Sequence, residues 1–156
     1  LDQFYSQLEK RSDKGDTPYN LRNCAYMDDF FKQKILFQEM VQESSFVFDT
    51  EGKFICLDTA RFIIGRDLNI LLLVMNSKLF FFSIKYFYGG GALGENGVRM
   101  KHTFFNQFPI SKTLNSNIDL INSYLNDPIN NTLLINELIY KNYNLSTEEI
   151  EFIENL

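Results

Sequence analysis

The residues best suited to chemistry are cations set among aromatics and amides: Tyr19-Asn-Leu-Arg22, Lys32-Gln-Lys34, Lys85-Tyr-Phe-Tyr88 and Arg99-Met-Lys101-His102. Arg and Lys hold phosphates, Arg, Asn and Gln read base edges, and Tyr stacks on bases or sugars. By composition alone the set is no more than a candidate for nucleic-acid contact. The expected contacts are Arg22, Lys85, Arg99 and Lys101, with Lys32, Lys34 and Lys78 as phosphate candidates. Arg99 is the best base reader among them, because its planar fork can donate to both acceptors of guanine. The rival reading is an ordinary solvated surface. For Lys78, inside Asn76-Ser-Lys-Leu79, that rival is a residue that caps or solvates a helix.

Other motifs invite chemistry and lack its context. Gly89-Gly-Gly91-Ala-Leu-Gly94 fits GxGxxG after a plausible strand. A dinucleotide or adenosyl site also needs an apolar helix at the third glycine and an acid about 20 positions on. Here a polar basic stretch up to His102 follows instead, and the next acid after it is Asp119. The segment reads as a connecting loop, or as a loop lying close to a backbone such as DNA. Asp49-Thr-Glu51-Gly-Lys53 contains the acid-x-Lys step of a metal-dependent nuclease, in which carboxylates hold Mg²⁺ and Lys stabilises the cleaved phosphate. A hairpin turn explains the same residues without chemistry and is the favoured reading. His102 is the only histidine, so a His triad or a multi-histidine metal site is excluded, and nothing marks Cys24 or Cys56 as activated. No catalytic, cofactor-binding or metal-ligating residue is expected.

The elements that must position these cations follow from pattern. The chain has 156 residues, 45% apolar and 15% aromatic, enough for one cored domain with or without an appendage. Its net charge of −5 argues at first against a nucleic-acid partner. Residues 1–102, however, hold 13 basic and 13 acidic side chains, against 2 and 7 in residues 103–156. The acidic excess therefore belongs to the C-terminal part, and two regions are expected: 1–112, which carries the site, and a helical extension, 113–156.

In the first region, Phe4 to Lys10 reads as the end of a short helix and Arg11 to Pro18 as a polar loop. Lys34 to Met40 reads as a half-buried strand with Ile35 and Phe37 on one face. Phe46-Val-Phe48 and Phe54 to Leu57 read as a hairpin about Asp49 to Gly52, and Phe62 to Ile64 as a further strand closed by Gly65. Asp67 can cap a helix from Leu68 to Phe82 that runs into a strand before Gly89. The polar interruptions Asn76, Ser77 and Lys78 make this a core helix rather than a membrane span of roughly 20 apolar residues. In the extension, Ile118, Ile121 and Leu125 recur at helical spacing, Pro128 can open a second helix, and Ser146-Thr-Glu-Glu149 is a capping box for a third. The expected fold class is α+β, with short, mostly antiparallel strands packed on a core helix.

The order of these segments resembles the TaqI-like C-terminal specificity domain. Arg11-Ser-Asp-Lys-Gly, Pro18-Tyr-Asn-Leu-Arg22, Cys24-Ala-Tyr26, Lys34-Ile-Leu-Phe37, Asp49-Thr-Glu-Gly52, Asp58-Thr59, Phe62-Ile-Ile64, Leu71 to Leu79, Val98-Arg-Met-Lys101 and Phe108-Pro-Ile110 arrive in that family's order, over roughly residues 11 to 112. Target recognition domains of Type I specificity subunits are also similar. The stretch from Gly89 to Gly97 is longer than the family's compact glycine turn, which loosens the correspondence around Arg99, and recognition loops in this family vary with the target, so no base-specific role is carried over. The resemblance implies a module that reads a short duplex DNA sequence for an adenine-specific methyltransferase, with or without a joined endonuclease as in Type IIG restriction-modification enzymes. The Asn-Pro-Pro catalytic motif of that class occurs nowhere in this sequence. S-adenosylmethionine, and Mg²⁺ for any attached endonuclease, are expected on catalytic domains upstream of Leu1 in the same polypeptide. A bacterial, cytoplasmic setting follows, with no membrane partner, no visible signal peptide and reduced thiols. The alternative is a protein-interaction or dimerisation module acting through the C-terminal helices.

Overall fold

A computed structural model describes residues 1–91, 94, 97–116, 118–128 and 130–155. Among the described residues, five short strands, β1 (Lys34–Gln38), β2 (Met40–Val41), β3 (Val47–Asp49), β4 (Ala60–Ile63) and β5 (Val98–Arg99), are set among helices, as the α+β expectation requires. The helices are α1 (Tyr5–Leu8), α2 (Leu68–Met75), α3 (Lys78–Tyr86), α4 (His102–Phe105), α5 (Ile118–Asn126), α6 (Thr132–Asn142) and α7 (Thr147–Glu154).

β1 is the middle of a three-stranded antiparallel sheet, with Ile35 opposite both Phe48 of β3 and Ile63 of β4. Its alternation buries Ile35 and Phe37, the face the sequence pattern selects. One residue past β1, Glu39 leads into β2, which pairs with β5 so that Met40 lies opposite Arg99. Val98 and Met100 turn inward and Arg99, between them, turns to the other side.

The expected hairpin does not form: residues 54–57 make no strand, and β1 separates β3 from β4. The Asp49 carboxylate accepts from the main-chain N–H groups of Lys53 and Phe54, both at 3.0 Å, so the chain bends around a side chain instead of pairing with itself. Gly52 sits at φ 67°, and a Cβ there would run into the Phe31 carbonyl.

The helix expected over Leu68–Phe82 is two helices meeting at a 67° bend. Ser77 ends one and starts the next, accepting from Phe80 N–H as an N-cap while donating to Val74 O at 2.6 Å. Asn76 beside it exchanges two hydrogen bonds with the main chain of Phe46, each 2.9 Å long. The Asn-Ser-Lys stretch is therefore an elbow that grips the β2–β3 connection. α3 continues to Tyr86, so no strand precedes Gly89. Asp67 gives its side chain no capping role: its backbone is left-handed, φ 53°, whereas an N-cap needs the extended region to turn its oxygen onto the first turn. Among the described residues, no single helix is long and apolar enough to cross a membrane.

The C-terminal helices share the core. Leu114, Ile121, Tyr124, Ile135, Ile139 and Ile153 join Ile35, Leu73 and Ile84 in one buried cluster, so the change in charge along the chain does not coincide with a break in packing. Each fully buried side chain of this kind contributes about 1.5–3 kcal/mol. Phe108 stacks near Tyr143 at 5.5 Å between ring centres, and the Tyr143 hydroxyl donates to Pro109 O. α6 opens at Thr132 rather than at Pro128, because Asp127 first closes a turn with Asn130 and Asn131. The capping box forms with both of its hydrogen bonds, Glu149 N–H to Ser146 Oγ and Ser146 N–H to Glu149 Oε2.

Candidate nucleic-acid interface

β1 leads from one ion pair to another. At its start Lys34, fully buried, donates to the Phe30 carbonyl at 2.6 Å and to Asp49 Oδ2 at 2.5 Å. Burial pushes the Asp49 carboxyl up, but the Lys34 ammonium and the Phe54 and Lys53 N–H groups outweigh it and hold the group well below the usual carboxylate range. Lys34 is thus no phosphate contact, because its ammonium is enclosed and its partners are internal. The same enclosure removes Asp49 from nuclease chemistry, and Glu51 pairs with Lys53 at 2.6 Å on the surface instead. Among the described residues, no group of three His, Cys, Asp or Glu side chains is placed to hold a metal ion.

Beyond the far end of β1, Glu39 joins the two sheets through its main chain. Its N–H donates to Thr59 O at 3.0 Å, and its carbonyl accepts from Met100 N–H at 2.7 Å. Its carboxylate lies between two arginines from different strands. Arg61 of β4 donates from Nη2 to Glu39 Oε2 at 2.9 Å, and from Nη1 to the carbonyls of Asp58 and Ala60. Arg99 of β5 places Nε 3.8 Å from Glu39 Oε1, near enough for attraction and too far for a hydrogen bond. That Nε is buried and has no hydrogen-bond partner, while the Arg99 side chain as a whole is 42% exposed.

A cleft of about 520 Å³ opens beside this cluster. Phe37, Phe62, Ile63 and Met100 supply its apolar wall, and Glu39, Arg61, Lys101, His102 and Thr103 its polar rim. Among the described residues, Glu39 is the only carboxylate that lines it. Arg99 is fixed from both sides, since its strand pairs with β2 and its N–H donates to Gly90 O at 2.6 Å. Gly90 must be glycine for this approach: a Cβ would lie 2.5 Å from the Ile84 side chain and 3.0 Å from Arg99 O. The glycine run thereby serves close packing of α3 against β5. The rest of the GxGxxG stretch, at Ala92 and Leu93, lies outside the described residues.

The candidate cations fall into separate places. Lys101 lines the cleft, and Arg99 lies beside it against Glu39. Lys78 and Lys85 line a different groove along α3, where Lys78 binds Glu154 and Lys85 lies 5.2 Å over the Tyr86 ring. Burial pushes Glu154 up, but Lys78 and Tyr140 outweigh it and hold it low, so this charge ties α7 to α3 and α6. Lys32 pairs with Asp29 at 2.7 Å, and Arg22 is exposed, its N–H donating to Asp13 O. Sequence reasoning missed Arg61 and Glu39. Their convergence depends on register, in which Phe37 faces Arg61 and Met40 faces Arg99, and no local motif carries that information. Cys24 and Cys56 are unpaired, and burial pushes the Cys56 thiol up, away from the reactive thiolate.

No family model matches the chain, and no curated protein matches it.

Proposed function

We propose that the chain is a sequence-specific duplex DNA recognition module, of the TaqI-like specificity class, that positions a target adenine for a methyltransferase domain in the same polypeptide. The observation that carries this reading is a cleft lined by Arg61 and Lys101, with Arg99 set beside it against Glu39, the one carboxylate among the described residues that lines it. Against an overall charge of −5 such a local excess of cations is what a phosphate-bearing partner requires. The exposed Arg99 fork supplies the geometry for a guanine edge, and Lys101 a phosphate contact. Base flipping and methyl transfer belong to the catalytic neighbour, which holds S-adenosylmethionine; any Mg²⁺ belongs to an attached endonuclease. Selection from random duplexes at several salt concentrations tests the reading. A consensus that persists as salt rises supports it, whereas binding that depends only on salt, with no consensus, rejects sequence recognition.

A second reading, assembly through the C-terminal helices, draws on the exposed Leu133 and Phe152 among the acidic side chains of this region. Because α5 to α7 supply core residues, deletion of 113–156 would unfold the chain rather than test assembly. Leu133→Ser with Phe152→Ser is the cleaner variant: a change in sedimentation from oligomer to monomer supports assembly, and an unchanged monomer dismisses it.

A further inference from the structure

We infer that Glu39 is a positioning residue for DNA reading: braced by Arg61, its carboxylate aims the guanidinium of Arg99 at a base edge. This rests on the DNA-recognition reading above and assigns roles within the cluster. The two arginines differ in what they have left to offer. Arg61 is committed to three internal acceptors, the carbonyls of Asp58 and Ala60 and the Glu39 carboxylate. Arg99 makes no side-chain hydrogen bond among the described residues, although Nε is buried 3.8 Å from Glu39 Oε1. Its outer nitrogens, on a side chain that is 42% exposed, are therefore available to a ligand.

Glu39 itself cannot drift. Its main chain is bonded to Thr59 and to Met100, and its side chain is only 20% exposed. A fixed negative charge beside a cation without hydrogen bonds of its own narrows the directions the cation takes, which lowers the ordering cost when two parallel hydrogen bonds form with guanine. The same charge opposes phosphate, so Glu39 favours base contact over indiscriminate backbone contact. Removing it has opposite effects on the two kinds of binding, a pattern that mere loss of structure does not produce.

The test is a double-mutant cycle on the 156-residue chain, with affinities measured for the selected duplex and for a random duplex. Glu39→Gln, which keeps the shape and one acceptor, is expected to weaken binding to the selected duplex about tenfold, within the range of one good base contact. Binding to the random duplex is expected to stay equal or strengthen. In the Arg99→Ala background the same change at Glu39 is expected to shift selected-site affinity by less than about twofold, because the side chain it positions is gone. Glu39→Asp, which retains the charge, is expected to recover part of the loss, and thermal melting verifies that each variant is folded. Equal weakening on both duplexes, or an undiminished effect without Arg99, overturns the positioning role and leaves DNA recognition standing. A wild-type chain that selects no sequence overturns recognition and the positioning role together.

Discussion

Lys34 and Asp49 at the start of β1, and Glu39 with its two arginines beyond the strand's end, are assembled from the same charge types and differ in what remains unsatisfied. The Lys34 ammonium has a carboxylate and a carbonyl, the Asp49 carboxylate adds two N–H donors, and both side chains are almost wholly enclosed. Around Glu39, Arg61 is held by three hydrogen bonds, while Arg99 makes no side-chain hydrogen bond among the described residues. A closed set of charges holds the chain in shape, and a set left open by one member has something to give a partner. Removing a member should therefore have its main effect on stability at the first place and on binding at the second.

The largest effect is expected from Asp49→Ala, which leaves the Lys34 ammonium buried without its counter-charge and should cost about 3–5 kcal/mol, read from denaturant unfolding. A loss below about 1 kcal/mol would mean that water reaches Lys34 and that this place is not closed. Acid should act on the same pair. The Asp49 carboxyl is held low in the folded chain, so its contribution is present above the unfolded carboxylate's pKa and disappears as pH falls through the lowered value. Unfolding free energy should decline below about pH 4 more steeply in the wild type than in Asp49→Asn, and parallel curves would argue against the assignment.

At the open end, Arg99→Ala should leave unfolding nearly unchanged and cost about 1–3 kcal/mol on the selected duplex, relaxing preference at one base pair. Equal losses on selected and random duplexes would make Arg99 a phosphate contact. The smallest effect is expected from Lys32→Ala, whose ammonium already pairs with Asp29. It should weaken binding uniformly across sequences and lower the salt slope by about one if it touches phosphate. A sequence-dependent loss would extend the reading surface to the loop before β1.

How much of this was legible depended on the range of the interaction concerned. Ile35 and Phe37 alternate within one strand, and the Ser146 capping box closes within four residues, so both could be read directly from the chain. The elbow at Asn76 could not, since its partner Phe46 lies 30 positions away and the apolar pattern runs on through both helices. Lys34 looked like a surface cation until Asp49 was brought against it, 15 positions along the chain. The candidate site was half visible: Arg99 and Lys101 stand in one basic stretch, while the approach of Glu39 and Arg61 follows only once β1, β4 and β5 are in register.

The joint at Glu39 is made by main-chain atoms, with Thr59 on one side and Met100 on the other. Every residue type except proline carries both peptide groups, so the seam between the sheets survives replacement of the side chains at positions 39, 61 and 99 by any of the others. Under the DNA reading, this makes the module retargetable. New sequence preferences can arise by exchanging a few side chains at the cleft, one or two at a time, while every intermediate still folds around the same aromatic core.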